Sequence, residues 1–196
     1  MYKGKHKTAV KSQKIIAEAF FDILMERSYY DVSIKEICAH AGISRQTFYS
    51  LFGTKEDVIR FYLAETFSQW RQQAKTNGVN SLYDLILFFL LGITEDEKLA
   101  QLYSSEVLGG ILADILKEHL DKTIMYERGS ISVGDSVANS FIAGGLTMAF
   151  KQWHADAGRI SIEDITMFII KILSGEYFTD IMSYAKQFPS ELTQKF

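Results

Sequence analysis

Proline and cysteine are almost missing from this chain. The one proline, Pro189, leaves everything before it free of the residue that breaks helix interiors. The one cysteine, Cys38, has no partner for an intramolecular disulfide and falls on the apolar face of a short helix, where a packed small side chain is expected rather than a nucleophile. The longest apolar run, Leu85 to Leu91, is far short of the ~20 residues that a bilayer-spanning helix needs. The basic N-terminus lacks a following apolar stretch of the secretory kind, so the expected location is the cytoplasm, with no membrane partner. Also absent are a Gly-x-Ser-x-Gly elbow, a phosphate-cradling Gly-x-x-x-x-Gly-Lys-Ser/Thr loop and a His-Glu-x-x-His pair. His6, His40, His119 and His154 are scattered, none with another His or Cys at ligand spacing. The expectation is a protein that is not an enzyme, with no catalytic residues, no metal and no cofactor.

A net charge of −3 taken alone argues against a nucleic-acid partner, but the charge is unevenly spread. Residues 1–55 hold nine Lys and Arg against five Asp and Glu, whereas the remainder holds 12 against 19. A basic head on an acidic body orients a molecule toward a polyanion and keeps the body off it. Lys3, Lys5, Lys7 and Lys11 form either a phosphate-seeking arm or a solvated tail.

Within the head, residues 33–54 spell two short capped helices around one glycine. Ser33 with Glu36 three residues on makes a capping box, and Ile34, Ile37, Cys38 and Ala41 then share one face. Gly42 suits a sharp turn because it accepts positive φ without a Cβ clash, and Ser44 suits the N-cap of a second helix. In that helix Phe48, Leu51 and Phe52 share the inward face, leaving Gln46, Tyr49 and Ser50 outward, flanked by Arg45 and Thr47. Amide, phenol, hydroxyl and guanidinium groups suit base edges and phosphate oxygens in a major groove, as in a helix-turn-helix reader. Gly53 is expected to close the helix in a left-handed conformation, and Thr54 with Asp57 to start the next one.

The run Ser33-Ile34-Lys35-Glu36-Ile37, then Ala41-Gly42-Ile43-Ser44, then Thr47 through Asp57, preceded by an amphipathic helix, resembles the TetR family of bacterial transcriptional regulators. The likeness covers roughly the first 60 residues, which is specific for a motif of this size. Leu51 departs from the pattern, since many members carry histidine there, so a phosphate contact from that position is not carried over. The DNA-contacting set assigned on this basis is Gln46, Tyr49, Arg45 and Lys35 toward bases, with Ser33, Ser44, Thr47, Tyr49 and Lys55 toward phosphates.

The rest reads as helices without strand alternation. Helix 1 is expected from about Ser12 to Arg27, with Ile15, Ile16, Ala19, Phe20, Ile23 and Leu24 as its stripe. A helix beginning at Lys55 carries Ile59, Leu63, Phe67 and Trp70 and is long enough to connect head to body, with a break at residues 75–81. Next come helices over Leu82–Leu91, Asp96–Tyr103, Ser104–Tyr126, Asp135–Trp153, Ile160–Leu173 and Glu176–Gln187. The segments Asp135–Trp153 and Ile160–Leu173 are apolar on more than one side, which calls for burial against a partner and points to a homodimer joined as a four-helix bundle. The Gly144-Gly145 … Trp153 … Gly158-Arg159-Ile160-Ser161 arrangement resembles the C-terminal dimerisation segment of many TetR relatives.

The fold class expected is therefore all-α: a three-helix helix-turn-helix DNA-binding head at residues 1–54, joined by a long helix to a helical ligand-binding and dimerisation body at residues 55–196. The resemblance implies a small-molecule effector site among the body helices, and Phe67, Trp70, Tyr83, Phe88, Tyr103, Glu106, Tyr126 and Phe141 are its candidate lining. The expected function is transcriptional regulation: a homodimeric repressor of a palindromic double-stranded DNA operator, released when an effector moves the connecting helix. The alternatives are a helix-turn-helix regulator controlled by a protein partner, and a helical ligand carrier or enzyme with a vestigial head.

Overall fold

The computed structural model describes residues 7–105, 107–156 and 159–177, and every regular element among them is helical. The order is α1 (Lys7–Leu24), a 3-10 turn (Tyr29–Asp31), α2 (Ile34–His40), α3 (Arg45–Leu51), α4 (Lys55–Thr76), α5 (Leu82–Glu95), α6 (Glu97–Ser104), α7 (Gly109–Arg128), α8 (Val133–Ala155) and α9 (Ile162–Ser174). Glu106 lies outside the described residues, as do the outermost lysines Lys3 and Lys5 and all but the first two residues of the expected final helix.

Local chemistry sets most boundaries. Ser33, Thr54, Ser81 and Ser132 each begin a helix with a reciprocal capping box, while Ser44, Asp96 and Ser161 cap with one side-chain acceptor. Gly42, Gly78, Gly129 and Gly175 hold φ between 65° and 83°, the left-handed region that suits glycine at a turn or helix end. Gly53 does not join them, and its expected left-handed role is corrected. The chain leaves α3 through an extended Phe52, and the Gly53 N–H donates to Asp57 Oδ2 at 2.8 Å, so the capping box of α4 reaches back across the joint. Two helix starts also shift: among the described residues α1 begins at Lys7 rather than near Ser12, and the helix expected from Ser104 starts at Gly109.

In the head, α1 buries Ile16, Ala17, Phe20, Phe21 and Leu24 against Ile37 and Cys38 of α2 and Phe48, Leu51 and Phe52 of α3. The core continues along α4 through Val58, Ile59, Leu63 and Phe67 into the body, where α7 packs on α8 and α5 on α9. Trp70 of α4 lies against Gly92 of α5, where an added Cβ would meet the indole at 2.5 Å. Such an approach is open only to a residue without a side chain.

The last two described helices each keep an apolar face uncovered. On α8, Ala143 and Phe150 are buried, whereas Val137 and Phe141 are each 64% exposed and Met148 is 57% exposed. On α9, Thr166 and Ile169 are buried while Met167 and Phe168 stand out at 47% and 46%. Between them runs a shallow apolar groove lined by Phe141, Gly145, Leu146, Ile169 and Ile172.

The substitution Gly92→Ala is expected to destabilise the protein by about 1–2 kcal/mol, because overpacking against Trp70 outweighs the higher helix propensity of alanine. Chemical denaturation followed by tryptophan fluorescence measures it; unchanged or raised stability would show that the Trp70–Gly92 contact yields freely.

Candidate nucleic-acid interface

The reading motif is built by two caps and three anchors. At the start of α2, Ser33 Oγ accepts from the Glu36 N–H at 3.3 Å, and the Ser33 N–H donates back to Glu36 Oε2 at 2.9 Å. Glu36 also accepts from Arg27 Nη1 at 2.6 Å, and Arg27 Nη2 donates to the Asp31 carbonyl. The Ser33 hydroxyl donates to Glu36 Oε2 at 2.6 Å, and this bond, followed by those from Arg27 and the Ser33 N–H, favours the ionised carboxylate and lowers its pKa to about 2. After α2, Ile43 N–H returns to the Cys38 carbonyl at 3.0 Å across Gly42, closing the turn. Ser44 Oγ then accepts from the Thr47 N–H at 3.0 Å and shares a hydrogen bond with Thr47 Oγ1 at 2.9 Å.

Burial of Phe48 (0%), Leu51 and Phe52 fixes the rotation of α3. That rotation turns Arg45, Gln46, Tyr49 and Ser50 to solvent. Tyr49 is 57% exposed, with its ring meeting Phe48 edge-on at 5.6 Å, so its aromatic body is supported while much of its surface stays accessible. Lys35 is exposed on α2, and Ser33 and Ser44 are exposed at their caps. Thr47 is half-buried.

Lys55 is placed differently from the others. Its ammonium donates to the carbonyls of Tyr29 and Val32 at 2.7 and 2.6 Å and sits 4.3 Å from the centre of the Tyr29 ring. Burial lowers its pKa. Two of its three donors thus tie α4 to the segment that precedes α2, leaving one for any outside acceptor. Sequence carries no signal for this, because the acceptors are backbone carbonyls more than 20 positions away.

The aromatic set assigned to an effector is only partly brought together. Phe67 meets Trp70 at 5.7 Å, Trp70 meets Phe88 and Phe89 at 6.3 and 6.0 Å, and Phe89 meets Tyr103 at 5.9 Å. Tyr103 is fully buried, and its hydroxyl has no hydrogen-bond partner among the described residues. Tyr83 is half-buried in the first turn of α5. Phe141 stands apart on the outer face of α8, because that helix is apolar on both sides and its narrow buried stripe runs through Asn139, Ala143, Thr147 and Phe150. Glu106 and the Tyr126 side chain lie outside the described residues. Beside this set, His119 Nε2 accepts from Arg71 Nη2 at 3.0 Å, and burial followed by the charges of Arg71 and Lys122 lowers its pKa to about 4, keeping it neutral near pH 7. Among the described residues no group of three His, Cys, Asp or Glu side chains is arranged to hold a metal ion.

Comparison with known proteins bears on the head most directly. Residues 16–60 match the family described as bacterial regulatory proteins, tetR family. The dhaKLM operon transcriptional activator DhaS of Lactococcus lactis subsp. lactis (strain IL1403) is 35% identical over 63 residues, which span 32% of this chain and 34% of the activator. The chain therefore aligns with about a third of the length of that relative. Among solved structures, the fatty acid degradation regulator FadR from Bacillus halodurans superposes with a TM-score of 0.56 at 20% identity, covering 88% of this chain and 96% of FadR. A TetR transcriptional regulator from Streptococcus agalactiae 2603V gives a TM-score of 0.56 at 14% identity, covering 85% and 95%. Identities this low show a shared fold, which extends over head and body together.

Because the Glu36 pKa is lowered on folding, its stabilisation is complete above its ordinary value of 4.5 and is lost as pH falls toward about 2. Glu36→Gln is thus expected to lower the melting temperature at pH 7 and to flatten its fall between pH 5 and 2, as measured by circular dichroism. Parallel pH profiles for the two proteins would remove Glu36 as a source of that dependence.

Proposed function

We propose that this chain, whose residues 16–60 match the tetR family of bacterial regulatory proteins, is a DNA-binding transcriptional regulator working as a homodimer on a palindromic operator. The observation that carries the reading is the outward face of α3, where Arg45, Gln46 and Tyr49 stand free of the core while Phe48, Leu51 and Phe52 hold the helix beneath them. Gln46, Tyr49, Arg45 and Lys35 meet base edges; Ser33, Ser44, Thr47 and Tyr49 meet phosphates, with Lys55 contributing its remaining donor. The head spans residues 1–54 and the body residues 55–196.

Dimerisation covers the exposed apolar face of α8 and α9. Val137, Phe141, Met148, Met167 and Phe168 form a surface that a second copy fits by two-fold symmetry, and the Gly144-Gly145 pair, with nothing within 4 Å of either added Cβ, admits a close helix approach. Two heads carried by such a dimer read the two half-sites of the operator.

Repression is the proposed sign: a small-molecule effector binds the body among α5 to α8, favours a conformation that moves α4, and alters the spacing of the heads. Linkage requires that the effector bind this conformation more tightly than the DNA-bound one. A second reading, control by a protein partner, draws support from the packing of the body: Trp70 rests on Gly92 without space for a methyl group, and the rings from Phe67 to Tyr103 pack against one another.

Tyr49→Ala is expected to weaken binding to a duplex selected by the wild-type protein by about 1–3 kcal/mol, with thermal stability changed by less than about 0.5 kcal/mol, as is usual for surface positions. Fluorescence anisotropy titration measures the affinity; undiminished binding by the variant would show that α3 reads DNA through another face.

A further inference from the structure

We propose that Lys98 and Gln101, on α6 of the body, position the DNA-reading head by gripping the end of α1. The inference rests on the reading of this chain as a DNA-binding regulator and adds a second mechanical line to the one that runs along α4.

The end of α1 is completed by the body. Its final amides bond within the head, Met25 N–H to the Phe21 carbonyl and Arg27 N–H to the Ile23 carbonyl. The carbonyls of Leu24 and Met25 accept instead from Gln101 Nε2, at 2.9 and 3.2 Å, across more than 70 positions of sequence. A helix end leaves such carbonyls without internal donors, so a body side chain supplies part of the C-terminal cap of a head helix. One turn earlier on each helix, Lys98 Nζ lies 2.7 Å from Asp22 Oδ1. Asp22 Oδ2 in turn lies 3.9 Å from His40 Nε2 at the end of α2, so the same carboxylate adjoins the reading motif.

The spacing of these residues explains how two turns of helix reach so far. Lys98 and Gln101 are three apart and share one face of α6. Asp96 caps α6 through Oδ1 and accepts the Tyr62 hydroxyl of α4 through Oδ2 at 2.9 Å, while Leu99, Leu102 and Tyr103 enter the core. Head, connecting helix and body core therefore all meet on α6. Next to Gln101 the junction is not filled by side chains: a cleft of about 460 Å³ lies between the end of α1 and α6, lined by Phe21, Leu24, Leu102, Ser105 and Leu108. At that place polar contacts, rather than close packing, set the attitude of the head.

The test uses the full chain with Lys98→Met/Gln101→Met, which keeps side-chain length and removes both donors. Amides of residues 25–27 are expected to exchange with deuterium about tenfold faster, with those of α7 and α8 unchanged. Affinity for a duplex selected by the wild-type protein is expected to fall about tenfold, the effect of removing a few surface-exposed hydrogen bonds and an ion pair. Gln101→Lys, which restores a donor to the two carbonyls, is expected to recover protection and affinity in part relative to Gln101→Met alone. Unchanged exchange at residues 25–27 would overturn the grip, and faster exchange with unchanged affinity would reduce it to a structural contact without a positioning role. If the wild-type chain selects no duplex, the regulator reading fails on its own account, and the exchange measurement still decides whether α6 holds α1.

Discussion

A helix of seven residues makes too few internal hydrogen bonds to persist in water, so everything the head does depends on what holds α3 in place. Three side chains do so. Phe48, Leu51 and Phe52 enter the core beneath α1 and α4, and with Ser44 closing the N-terminus they fix both the existence of the helix and its rotation. Because those residues point inward, Arg45, Gln46 and Tyr49 have no choice but to point outward. The polar face that gives the protein its proposed partner is the consequence of an apolar face that has nothing to do with DNA.

The joints of the molecule follow the same logic. Asp57 caps α4 and also accepts from Gly53, so the end of α3 and the start of α4 share one carboxylate. Lys55 fastens α4 to the segment that leads into α2. Asp96 caps α6 and receives Tyr62 from α4. Asp57 and Asp96 each cap their own helix while tying two elements together, and Lys55 adds a tie between α4 and the head. The ties are polar and partly exposed, hence individually modest, and this suits a junction whose proposed role is to change shape.

The sequence is most legible where the physics is short-ranged. Caps at Ser33, Ser44, Thr54 and Ser161 act on amides three residues away, and Gly42 answers to its own φ, so a linear reading finds them. The all-helical class follows from periodicity in the same way. Gly53 escapes such a reading because the feature that decides its conformation, the capping box of α4, begins after it and pulls the chain extended. Lys55 and Gln101 bond backbone carbonyls far away in sequence, and any residue type offers such a carbonyl, so composition cannot point to the pairing. Phe141 reads as one of the interior aromatics because a helix apolar on two sides does not say which side its own chain covers.

The central claim is that the head meets double-stranded DNA through an electrostatic and polar surface. The most direct measurement is the affinity of the full chain for duplex DNA as a function of salt. Neutralised phosphates release counterions, so the account predicts that the logarithm of the association constant falls linearly with the logarithm of salt concentration, with a slope of about −0.9 for each phosphate contacted. No measurable binding at low salt, or binding indifferent to salt, would contradict it.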